Sequence, residues 1–181
     1  MNAEPAERSA FVAAMAAAVT GVSVVTTDGA GGRRGLTVSA MVSVSADPPL
    51  LLVAINRRSP LVAAIRANGA FGVSVLGAHQ AAVADTFAGR PAAGEPFDFG
   101  CARWERGAGG TPLLVGAVAR FDCAVASTVE AGSHTLVIGA VRHASRGAVR
   151  PLAYTRREYA QPAPLPRSPA GRERLARAAG G

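Results

Sequence analysis

Most of the polar side chains that could do chemistry in this chain fall in two neighbouring stretches. In Leu36 to Ser45, LTVSAMVSVS, the even positions are apolar and the odd positions are Thr37, Ser39, Met41, Ser43 and Ser45. A strand sends alternate side chains to opposite faces, so these hydroxyls are expected in one row. The next run, Leu50 to Ile55, is apolar on both faces and reads as a strand buried on both sides. Hydroxyls beside such a strand need partners, which a polar ligand could supply. That run leads through Asn56-Arg57-Arg58 into Ser59-Pro60, a cap residue followed by proline at the first helical position. A helix start, two arginines and a serine hydroxyl suit a phosphate. The plain alternatives are a solvated outer sheet face and an ordinary capped helix with solvated arginines.

The remaining polar residues narrow the choice by exclusion. Cys101 and Cys123 form no CxxC pair and stand at no zinc-ligand spacing from a histidine, so neither a metal site nor a disulfide framework is expected. The net charge is +7, all 19 basic residues are arginine, and they are scattered, while aromatics are scarce. Nucleic-acid binding wants a clustered basic face with aromatic platforms and is not expected. Asp28 to Gly35, DGAGGRRG, has neither a Gly-Lys-Ser/Thr ending nor a strand-GxGxxG-helix context, and reads as a flexible turn.

The elements that must hold these residues follow from pattern. With 181 residues, 49% of them hydrophobic, the chain can bury one core, and no apolar run is long enough for a membrane span. Residues 1–160 are expected to form one domain and 161–181, rich in Pro, Arg and Ala, a disordered tail. Glu4 to Val19 predicts a helix. Glu4 and Glu7 spoil its likeness to a secretory leader, so a cytoplasmic protein is expected. Strands are predicted over Val22 to Thr27, Leu36 to Ser45, Leu50 to Asn56, Phe71 to Leu76, Leu113 to Ser127, His134 to His143 and around Leu152 to Tyr154. Short helices are predicted from Ser59 to Gly69 and from His79 to Phe87. Arg90 to Gly110 reads as a long, irregular, mobile excursion. Hairpin-linked strands with few helices predict a mainly β, antiparallel barrel.

Taken in order, GVSVVTT, GLTVSAMVSVSADPPLLLVAINRRS, FGVSVLGAHQAAVADTFAG, GSHTLVIGAV and PLAYTRREY resemble the short-chain flavin reductase family. These are NAD(P)H:flavin oxidoreductases on the FMN-binding split barrel, an antiparallel Greek-key barrel with a few short helices. The likeness covers residues 8 to 160 and extends to the reductase components of two-component flavin monooxygenases.

The resemblance implies flavin contacts at Thr37, Val38, Ser39 and Ala40 for the ring and ribityl chain, with Ser43 and Ala54 on the adjoining strands. It implies phosphate contacts at Asn56, Arg57, Arg58 and Ser59. Asp85 to Gly89 would close over the flavin, with Phe87 abutting the ring beside Ala88 and Gly89. The family's Gly-Asp-His stands here as Gly132-Ser133-His134, with His134 at the nicotinamide side, away from the flavin phosphate. Tyr154, Arg157 and Tyr159 would lie at the second substrate edge. The implied activity is hydride transfer from NADH or NADPH to FMN or FAD by a homodimer, with reduced flavin passed transiently to a flavin-dependent monooxygenase. Two other readings stay open: a flavin- or haem-holding barrel without catalysis, and a flavoenzyme that keeps its FMN and acts on its own substrate.

Overall fold

The computed structural model describes residues 7–165. In chain order the elements are α1 (Arg8–Ala17), β1 (Thr20–Gly21), β2 (Ser23–Thr27), β3 (Arg34–Val38), β4 (Met41–Ala46), β5 (Pro49–Asn56), α2 (Pro60–Asn68), β6 (Ala70–Val75), α3 (Ala81–Phe87), β7 (Trp104–Arg106), β8 (Pro112–Leu114), β9 (Ala119–Ala131), β10 (His134–Arg146), β11 (Ala153–Thr155) and β12 (Glu158–Ala160). Seven strands make one antiparallel sheet in the order β3-β2-β6-β9-β10-β5-β4. Its edge strands β3 and β4 are separated in the chain by Ser39 and Ala40 alone. Edges joined by so short a link oblige the sheet to curl back on itself, and the Ala54 N–H donates to the Ala40 carbonyl across that corner at 3.0 Å. The architecture is the antiparallel split barrel expected from the sequence.

The barrel interior is filled by Val25, Val53, Ile55, Phe71, Val73 and Val137, all fully buried, and α2 adds Leu61 and Ile65. On the other side of β2, α3 lays Val83, Ala84 and Phe87 against Val22, Val24, Leu76 and Leu114. β2 is therefore buried along its whole length, and its hydroxyls are satisfied internally. Thr26 donates to the Pro112 carbonyl and Thr27 to the Ala70 carbonyl.

Several sequence expectations change here. The Leu36 to Ser45 strand is broken at Ser39-Ala40, where the chain leaves one sheet edge for the other. Leu50 to Ile55 is not buried on both faces: Leu51, Val53 and Ile55 are buried, but Leu50, Leu52 and Ala54 remain half-exposed in the single chain. The DGAGGRRG turn is not free, because Asn68 at the end of α2 accepts from Gly31 N–H at 2.6 Å and donates to the Gly32 carbonyl at 3.1 Å. The excursion from Arg90 to Gly110 is tied down as well. The buried carboxylate of Asp122 accepts from Thr111 Oγ1 at 2.9 Å and from Gly109 N–H, and Trp104 Nε1 donates to the Phe99 carbonyl at 2.9 Å. The first helix ends at Ala17 because Ala18 is already extended, and Thr20–Gly21 pairs with Tyr154 and Ala153 as a strand. That helix begins at Arg8, after Glu7 in non-helical geometry, while the expected helical stretch from Glu4 to Ala6 and the tail from residue 166 lie outside the described residues. Among those residues no helix is long and apolar enough to cross a membrane.

Candidate functional site

The turn from β5 into α2 is built by its own side chains. Asn56 Oδ1 accepts from Arg58 N–H at 3.0 Å, and the Asn56 carbonyl accepts from Ser59 N–H at 2.8 Å. Ser59 Oγ accepts from Leu61 N–H at 3.3 Å, its carbonyl accepts from Val62 N–H, and Pro60 has no N–H to give. The backbone donors that a helix start was expected to offer are thus already used. What remains for an anion is the pair of exposed guanidinium groups of Arg57 and Arg58, neither of which has an ion-pair partner among the described residues.

The turn Gly132-Ser133-His134 lies directly against this one. The Arg57 N–H donates to the Ser133 carbonyl at 3.1 Å, and His134 is the cross-strand partner of Asn56. Gly132 takes φ 57°, the left-handed geometry that lets β9 reverse into β10. His134 is exposed and its Nδ1 lies 2.9 Å from Ser133 Oγ, which orients the ring and leaves Nε2 open. The separation expected between His134 and the phosphate side is therefore absent within one chain: register places both turns at the same end of the barrel.

A cavity of about 210 Å³ opens beside the end of β3, lined by Thr37, Val38, Ser39, Ala88, Arg90 and Tyr154 among others. Thr37 Oγ1 donates to the Ala84 carbonyl at 2.7 Å, fixing β3 to α3 and leaving oxygen lone pairs toward the cavity. Ser39 and Ala40 are exposed at the corner between the sheet edges. The far wall is a small network: Tyr159 donates to Asp85 Oδ1 at 2.9 Å, Arg90 Nε lies 3.4 Å from the same oxygen, and Tyr154 meets Tyr159 edge-on. Burial first, then the hydrogen bond to Asp85, pushes the Tyr159 phenol above its usual value. Arg90 escaped the sequence reading, since an arginine in a Gly- and Pro-rich stretch carries no periodic signal.

Other expected contacts fall elsewhere. Phe87 has no exposed surface and cannot abut a ligand: it is a core residue that meets Phe99 and Trp104 edge-on and packs on Gly35. Ala88 and Gly89, just beyond it, are exposed, with Ala88 at the cavity. The hydroxyls do not form one row. Ser43 lies opposite Leu51 on β4 and is exposed, and after a register shift Ser45 accepts from Asp47 N–H. Ala54 is half-exposed and pairs with Leu136 on the outer sheet face. Arg157 is exposed at the β11–β12 turn with φ 66°.

What is left fits a flavin phosphate ester in kind: a partly apolar, partly hydroxyl cavity at the corner of the barrel, and two unpaired guanidinium groups at the neighbouring turn. The flavin reductase-like domain model matches residues 15–163 of this chain. The chain belongs to the flavin reductase-like family. Within it, the FMN reductase (NADH) RutF of Ancylobacter novellus is 42% identical over 153 residues, covering 84% of this chain and 83% of its own. The NADH:FAD oxidoreductase SgcE6 of Streptomyces globisporus, solved with NAD and FAD fragments, is 32% identical with a TM-score of 0.78, over 90% of this chain and 98% of that one. The styrene monooxygenase flavin reductase of Pseudomonas putida is also 32% identical, with a TM-score of 0.74 over 86% of this chain and 98% of its own. The flavin reductase-like segment thus takes in every strand of the seven-stranded sheet and all of the turns described above.

Proposed function

We propose that the protein is an NADH-dependent flavin reductase that passes reduced flavin to a separate flavin-dependent monooxygenase. The observation that carries this reading is the meeting of three segments at one end of the barrel: the Thr37 to Ser39 strand end, the Asn56 to Ser59 turn and the Gly132 to His134 turn. When bound, the flavin supplies the hydride acceptor and the nicotinamide the donor. The chain's part is to bind and orient. Arg57 and Arg58 hold the phosphate, Thr37 and Ser39 offer hydroxyl oxygens to the polar edge of the ring, and Tyr154 and Val38 cover apolar surface. His134, steadied by Ser133, presents Nε2 for a hydrogen bond, and because hydride passes directly between the two bound rings no strong acid or base is required of the protein. Exposed hydroxyls and surface arginines hold a ligand loosely, which suits a flavin that leaves as product. A nicotinamide-consuming enzyme of this kind belongs in the cytoplasm, where its donor is made. The test is NADH oxidation with FMN, FAD or riboflavin added. A rate no greater than the protein-free background with all three would sink the reading.

We place this activity in a homodimer. The outer face of β4, β5, β10 and β9 is apolar: Val42, Leu52 and Ile138 are aligned across three strands, and Ala54, Leu136 and Val129 form a second row. Val42, Val44 and Val129 are each about half exposed there. The cavity beside Thr37, at about 210 Å³, is smaller than the roughly 300–1,000 Å³ of ordinary small-ligand sites, so a wall from a second copy would complete it. Isologous pairing is the commonest oligomer symmetry. Light scattering is expected to give twice the chain mass, and an active monomer would overturn this assignment.

A further inference from the structure

Among the described residues, Arg90 is the one charged side chain that lines the cavity beside Thr37; the rest of the lining is apolar or hydroxyl. Its backbone is fixed, whereas its side chain is held loosely. Gly89, at φ 77°, turns the chain off the end of α3, and the Arg90 N–H then donates to the Asp85 carbonyl at 3.0 Å. The Arg90 side chain is 60% exposed and meets Asp85 Oδ1 through Nε at 3.4 Å, long against the roughly 2.7–2.9 Å of a tight charge-assisted pair. Asp85 is meanwhile steadied by Tyr159, whose phenol donates to the same oxygen at 2.9 Å. Tyr159 first, and then Tyr154, raise the guanidinium above its ordinary range, so this wall of the cavity keeps its positive charge at every working pH. A cation at a cavity wall, loosely paired with one carboxylate, can exchange that anion for another.

We infer that Arg90 tells reduced flavin from oxidised flavin, by pairing with the N1 and C2-carbonyl edge of the ring once that edge carries charge. This rests on the reductase reading, with the ring lying at Thr37 to Ser39. Hydride leaves the nicotinamide oxidised and brings the flavin two electrons and one proton, the hydrogen going to N5. The oxidised ring is neutral, so the product is an anion whose charge spreads over N1 and the C2 carbonyl. The guanidinium fork matches two such neighbouring acceptors, and charge beside N1 is one of the means by which a protein tunes a flavin. Asp85 limits the grip: as the rival anion for the same guanidinium, it keeps the reduced form from being held too tightly to leave. Arg90 thus favours hydride transfer, and Asp85 favours release of the product.

The test titrates FMN and riboflavin against the full chain, oxidised in air and, separately, reduced by dithionite under nitrogen. The chains are wild type, Arg90→Gln, Arg90→Lys and Asp85→Asn, with circular dichroism as the check of folding. In Arg90→Gln the dissociation constant of the reduced form is expected to rise about tenfold while that of the oxidised form stays nearly unchanged. That split lowers the midpoint potential of the bound flavin by about 30 mV. Arg90→Lys keeps the charge and is expected to restore most of the preference, and Asp85→Asn, which removes the rival anion, to tighten the reduced form. Riboflavin is expected to show the same split, since it has no phosphate to contribute. Equal losses for the two forms, as a structural role or a phosphate contact would give, overturn the inference. So do a folded Arg90→Gln that loses nothing, a split confined to FMN, an Asp85→Asn that fails to tighten the reduced form, and a wild type that binds neither form. Loss of the reductase reading would show separately, as no FMN-dependent NADH oxidation in wild type, while the dithionite titrations use no NADH and stay readable.

Discussion

Arg58 gives its N–H to Asn56 and keeps its guanidinium in solvent, so its removal should touch the ligand and not the fold. Charge-assisted hydrogen bonds are worth roughly 1.5–3 kcal/mol, and solvent screening holds an exposed one near the lower end. Arg58→Ala is therefore expected to weaken FMN by about tenfold and to leave riboflavin nearly unchanged, as read by flavin fluorescence titration. His134→Ala acts on a turn bonded to Arg57, so it is expected to weaken FMN and NADH together, by roughly 0.5–1.5 kcal/mol each. The thiols differ by placement: Cys101 is exposed, whereas burial pushes Cys123 up to about 12. An alkylating reagent at neutral pH should label Cys101 alone, as mass spectrometry of the native protein would read. The first turn was legible as a cap signal, whereas the Gly132-Ser133-His134 triplet stood out only through the family resemblance. That the two touch was not legible, because contact between distant segments is set by strand register, which no local spacing records.

Phe87 shows how a motif can be read correctly and assigned wrongly. The segment Asp85 to Gly89 does border the cavity, but the helical repeat of α3 turns Phe87 inward while Ala88 faces out. Phe87→Ala should cost about 3–5 kcal/mol, seen as a lower melting temperature, with flavin affinity of the folded fraction unchanged. The same lesson comes from β3 and β4. Their apolar-polar alternation runs unbroken through Ser39-Ala40, since a two-residue link preserves parity, so the pattern conceals the point where the chain changes edges. By contrast α2 was legible at both ends, because Ser59-Pro60 and Asn68-Gly69 act locally: Ser59 caps Leu61, and Gly69 adopts φ 67°. The pinning of the Arg90 to Gly110 excursion was hidden, since Asp122 reaches it from β9.

For the chain as a whole, residues 161–181 have the composition of a tail that docks nowhere, and removing them is expected to leave flavin-dependent NADH oxidation intact. A folded truncation that lost turnover would make the tail part of the site. The two-residue corner at Ser39-Ala40 also bears on assembly. Thr37 belongs to the first edge of the sheet, whereas Asn56 and His134 belong to β5 and β10, which reach that edge only when the sheet has closed. No half of the molecule carries the ligand contacts by itself, so a partly folded chain has nothing for flavin to hold. FMN should then act as a latch on the closed ring, adding about 2.7 kcal/mol at a hundredfold excess over its dissociation constant. In a melting series the midpoint should climb with FMN concentration, and riboflavin at equal concentration should lift it less.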